Sequence, residues 1–83
     1  MIRFYIINEV LDIEDIGSFV ISCNRTSDRD EAVNIFQSRR KMLLNTEGVR
    51  VLKDNLTDDH GIIKVMLEDG YVIELVIIET RIM

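Results

Sequence analysis

Residues 61–80 read GIIKVMLEDGYVIELVIIET, and this stretch decides the fold. Two apolar, β-branched runs, 61–67 and 71–80, flank Asp69-Gly70, a pair that tolerates the positive φ of a tight two-residue hairpin turn of type I′. The second run is apolar in both phases, with Ile73, Leu75 and Ile77 on one side and Val72, Val76 and Ile78 on the other, interrupted by Glu74. A strand apolar on both faces belongs in the middle of a sheet.

Working outward, the C-terminal hairpin is preceded by a strand over 49–55, with a looser turn at Asp58-Asp59-His60-Gly61. Upstream lies a helix with Ser27 as N-cap and Asp30 three residues on, an approximate capping box, with Asp28, Asp30 and Glu31 in its first turn. Arg39, Arg40 and Lys41 complement the dipole at its other end, and Asn45 or Gly48 ends it. Ala32, Ile35, Phe36, Met42 and Leu43 form its apolar stripe. Residues 2–8 and 18–24 read as two further strands, the latter with Phe19, Ile21 and Cys23 on one face. The segment 9–17 between them is either an acidic hairpin loop or two strand extensions meeting in a turn at Gly17. The expected fold class is α+β, β-β-α-β-β-β, one helix packed on a mainly antiparallel five-stranded sheet. With 71–80 beside 2–8, the strand order becomes 2-1-5-4-3.

Eighty-three residues make one core, so residues 1–83 are read as a single α+β domain. An apolar content of 47% supports that core without staples, and with no Pro and four scattered Gly no linker divides it. Cys23 is the only cysteine, which excludes an internal disulfide or a cysteine-built zinc site and points to a reducing, cytoplasmic setting. No signal-peptide pattern stands at the N-terminus, and the run Val76-Ile77-Ile78 is far too short to span a bilayer. A net charge of −5 argues against direct nucleic-acid binding, which needs clustered cations. Arg39-Arg40-Lys41 point different ways around a helix and carry no interleaved aromatic residue, so they make no such stripe.

No catalytic or metal centre is expected, and no cofactor. His60 has Asp58 and Asp59 beside it but no second histidine or nucleophile, and a turn of Asp, His and Gly is ordinary hairpin chemistry. Asp54, Asp58 and Asp59 lack the spacing of a calcium loop. Cys23, in phase with Phe19 and Ile21, reads as a core residue.

Two surfaces stand out instead. Glu9, Asp12, Glu14 and Asp15 fall within seven residues without an intervening cation, and Glu68 and Asp69 sit at the hairpin turn. If both loops lie at one end of the sheet, their charges converge into an acidic edge suited to an Arg/Lys-rich cleft. The ordinary reading of such carboxylates is solubility. Second, one helix covers one face of a five-stranded sheet. Depending on the pleat, Tyr5, Ile7, Ile62, Met66, Val72, Val76 and Ile78 face away from it, as a homodimer or partner interface, unless Leu11, Ile13 and Ile16 fold over them.

The small acidic α+β chain, with its capped helix from Ser27 to Leu44, its acidic stretch from Glu9 to Asp15 and no active site, resembles the small inhibitors that phages and other mobile elements encode against host defence, anti-CRISPR proteins among them. That resemblance is one of scale and organisation and rests on no motif. It implies a non-enzymatic protein-binding module, an acidic inhibitor occupying a site on a larger nucleic-acid-binding host complex. The alternative is a structural or regulatory homodimer built on the sheet face.

Overall fold

The computed structural model describes residues 2–57 and 60–82. The elements follow the expected order: β1 (Ile2–Ile13), β2 (Gly17–Thr26), α1 (Arg29–Leu44), β3 (Arg50–Leu56), β4 (His60–Met66) and β5 (Val72–Ile82). They build an α+β fold in which α1 lies on a five-stranded sheet of order β2-β1-β5-β4-β3, every neighbouring pair antiparallel. The two-faced apolar strand β5 is central, between β1 and β4. Among the described residues, no helix is long and apolar enough to cross a membrane.

Segment 9–17 resolves into strand extensions. β1 runs on to Ile13, which pairs with Gly17, and a three-residue turn of Glu14, Asp15 and Ile16 joins the strands. Asp15 (φ 67°) and Gly17 (φ 134°) take the left-handed conformations of this turn. Leu11, Ile13 and Ile16 therefore do not fold over the face opposite α1. Two antiparallel strands satisfy each other's backbone along the whole arm, which a loop of the same length cannot do.

Period-two alternation then sorts the sheet. Tyr5 and Ile7 of β1, Ile63 and Val65 of β4, and Ile73, Leu75 and Ile77 of β5 are buried beneath Ala32, Phe36 and Leu43 of α1. Each buried Ile, Leu, Val or Phe among them contributes about 1.5–3 kcal/mol by leaving water. Tyr5 and Ile7, expected on the interface face, are thus core residues, 7% and 0% exposed. The first strand is apolar in both phases, and the opposite phase, Phe4 and Ile6, is the one turned away from the helix.

Cys23 is likewise corrected, from core to exposed. Glu9 pairs with Ser22 but Val10 with Val20, so Ile21 is the extra residue of a β-bulge. The bulge takes Phe19 out of phase with Cys23. Ser22, Asn24 and Thr26 take the helix side, and Cys23, opposite Asn8, turns to the other face of an edge strand.

The helix is capped one residue later than expected. Asp28, not Ser27, is the N-cap, its Oδ1 accepting from the backbone N–H of Asp30 (2.9 Å) and of Glu31 (3.3 Å). Asn45 is the C-cap, and Gly48 (φ 77°) turns the chain into β3. Met42, expected in the apolar stripe, is 71% exposed, while Val33 and Leu44 pack against the core from the flanks. The β4–β5 turn also differs from a two-residue type I′ loop. The Leu67 N–H donates to the Tyr71 carbonyl (2.7 Å) and the Gly70 N–H to the Leu67 carbonyl (2.9 Å), and positive φ falls on Gly70 alone, giving a three-residue loop of Glu68, Asp69 and Gly70.

Candidate protein-interaction surface

The face opposite α1 carries no element of the described chain. Its residues follow from strand register. One row across β3, β4, β5 and β1 holds Arg50, Met66, Val72 and Asp12. The next holds Lys53, Lys64, Glu74 and Val10, and the third Asn55, Ile62, Val76 and Asn8. Beyond them lie Ile78 with Ile6, then Thr80 with Phe4. The result is an aliphatic field, Ile6, Val10, Ile62, Met66, Val72, Val76 and Ile78, holding a few charges. Most of these side chains are only half-buried, shielded by neighbours in the pleat, and Ile78 is 44% exposed. Five of the seven residues expected to face away from the helix, Ile62, Met66, Val72, Val76 and Ile78, stand on this face.

The acidic residues divide. Asp12 pairs with Val72 and Met66 with Val72, so the Glu14–Ile16 and Glu68–Gly70 turns lie at the same end of the sheet. The pairing of Arg50 with Met66 brings the α1–β3 loop there too, with Gly48 so close to Glu68 that an added Cβ would stand 3.0 Å from the Glu68 carboxylate. Glu14, Asp15, Glu68 and Asp69 therefore share one exposed end, joined by Glu47, which sequence reasoning missed. Among the described residues, none of the five enters an ion pair, and Asp69 only accepts the Tyr71 N–H (3.2 Å).

Glu9 and Asp12 are committed elsewhere. Glu9, on the helix side, accepts from Arg39 (3.2 Å) and Ser22 (3.3 Å), while Arg39 also donates to Ser22 (2.7 Å) and Asn24 (2.9 Å). This cluster ties α1 to β1 and β2, so Arg39 has a structural partner that composition along the helix did not reveal. Asp12 takes the hydroxyl of Ser18. Arg40 forks onto Asp54, donating through Nε at 3.0 Å and through a second guanidinium nitrogen. The hydrogen bonds hold the Asp54 carboxyl below its ordinary range and raise the guanidinium of Arg40.

His60 is exposed at the start of β4, its Nδ1 3.5 Å from the Thr57 hydroxyl, and Asp58 and Asp59 lie outside the described residues. Among the described residues, no three His, Cys, Asp or Glu side chains are grouped to hold a metal ion. A groove along one flank of α1 is lined by Asn34, Ile35, Ser38 and Met42 and bordered by the paired Glu9 and Arg39. No family model matches this chain, and no curated protein or solved structure matches it either.

Proposed function

We propose that this chain is a non-enzymatic protein-binding module, presenting its open sheet face and the adjoining acidic end to protein partners. The observation that carries the reading is the aliphatic face around Ile62, Val76 and Ile78, which no described element covers. Contiguous apolar surface of this kind favours association, because each Å² removed from water contributes about 25 cal/mol. The total accessible surface points the same way. It is 5628 Å², above the about 5,100 Å² that size scaling gives for a folded chain of 9.7 kDa.

The acidic end sets the sign of a heterologous partner. Glu14, Asp15, Glu47, Glu68 and Asp69 would draw in an Arg/Lys-lined cleft such as nucleic-acid-binding complexes possess. Filling that cleft by charge and shape is how a domain without chemistry inhibits, and this is the action we assign to it.

Affinity capture from host lysate, with a salt gradient and mass spectrometry, tests the proposal when run in parallel on three chains: wild type, Val76→Asp, and the reversal of Glu14, Asp15, Glu68 and Asp69 to Lys. A protein retained by wild type, released by moderate salt and lost from either folded variant is the expected result. An identical retained set from all three chains refutes both surfaces.

A further inference from the structure

We infer that the open sheet face binds a second copy of this chain, through a twofold axis running along the strands between β4 and β5. This rests on the binding-module reading and names the occupant of its face. The face is divided by charge along that line. Arg50, Lys53 and Lys64 lie on the β3/β4 half, Asp12 and Glu74 on the β5/β1 half.

A twofold axis in this direction lays β4 over β5 of the second copy and β3 over its β1, and it keeps the rows aligned. Lys64 then meets Glu74 of the second copy, and Glu74 meets its Lys64. Arg50 meets Asp12 in the row above, and the aliphatic pairs Ile62 with Val76 and Met66 with Val72 pack between them. Of the five charges these four strands carry in the rows of this face, Arg50, Lys53, Lys64, Glu74 and Asp12, every one except Lys53 faces the opposite sign. An isologous interface requires this self-complementarity, and a charge pattern chosen only for solubility does not.

One further observation fits the same arrangement. Lys64 and Glu74 are direct cross-strand neighbours, yet among the described residues neither enters an ion pair or a side-chain hydrogen bond.

The area suffices. Four strands spaced about 4.8 Å apart and seven residues long offer about 20 by 24 Å of face, on the order of 1,000 Å² for two copies together. That reaches the roughly 1,000 Å² at which specific interfaces begin. Because the axis runs along the strands, both acidic turn ends emerge at one end of the dimer and double the surface offered to a basic cleft. The β2 strand overhangs the contact, leaving Cys23 outside it.

Sedimentation equilibrium over a concentration series tests the inference, with circular dichroism confirming that each variant folds. Wild type is expected to dimerise, and Lys64→Glu and Glu74→Lys each to weaken the dimer at least about tenfold, since each sets like charges face to face across the axis. An equimolar mixture of the two variants is expected to recover the wild-type affinity, because every reciprocal contact then joins opposite signs. The chain carrying both substitutions keeps the pattern inverted and should dimerise like wild type, which serves if a single variant does not fold. A monomeric wild type, or a mixture no tighter than its components, overturns the second-copy assignment. If Val76→Asp still abolishes capture of a host protein in that case, the binding-module reading stands without it.

Discussion

Arg39 and Arg40 show how little a charged residue's neighbours in sequence say about its work. In the sequence they read as complements to the helix dipole, but α1 runs on to Leu44 and only Lys41 of the three cations falls in its last turn. In the folded chain Arg39 clasps Glu9, Ser22 and Asn24, and Arg40 clasps Asp54, so both moor the helix to the sheet. The Arg40–Asp54 pair is about one-third exposed on each side, at 31% and 33%, and solvent screening limits such a pair to about 0.5–1 kcal/mol. Its pH dependence has a definite sign. A carboxyl whose folded pKa is lowered contributes fully above its unfolded value, about 3.9, and the contribution disappears as pH falls through the folded value. Urea unfolding of wild type and Asp54→Asn should therefore differ by about 0.5–1 kcal/mol at pH 7 and converge toward pH 2. A gap that persists at pH 2 would show that the carboxylate charge is not its source.

Among the elements, the helix start separates residues of equal promise. Ser27 and Asp28 both suit an N-cap, and choosing between them takes the backbone. Asp28 has the extended conformation of a cap (φ −94°, ψ 115°), and its own N–H is taken by the Thr26 hydroxyl at 3.1 Å. Asp28→Ala should cost about 1 kcal/mol, lowering the melting temperature by about 4–8 °C, whereas Ser27→Ala should leave it nearly unchanged. The reverse ranking in a thermal melt would restore Ser27 as the cap. The edge strands differ in a similar way. β2 shows Phe19, Val20 and Ile21 exposed at 46%, 65% and 49%, while β3 carries Arg50, Lys53 and Asp54, the kind of charge that discourages edge pairing.

At the scale of the molecule, the sheet order governs how stability is distributed. β5 and β1 have strand partners on both sides, and β2 and β3 leave one side unpaired. In native-state hydrogen exchange the amides of β5 and the first half of β1 should be slowest, approaching global unfolding, and the outward amides of β3 fastest. Uniform protection across the five strands would contradict this layering. A face-to-face dimer covers side chains rather than strand edges, so it leaves the ranking unchanged. Much of this architecture follows from local pattern. The sequence-derived order β-β-α-β-β-β and the central place of 71–80 both hold, because hydrophobic period, turn residues and a strand apolar in both phases are properties of short stretches. The pattern does not say which of two apolar phases the helix covers. Tyr5 and Ile7 compete with Phe4 and Ile6 on equal terms until the strands are registered and α1 is docked. One extra residue at Ile21 reverses the face of Cys23, and a charge such as Arg39 finds Glu9 thirty residues away only once the chain has closed. Periodicity defines two faces of a strand, and only packing against the rest of the molecule makes one of them the inside.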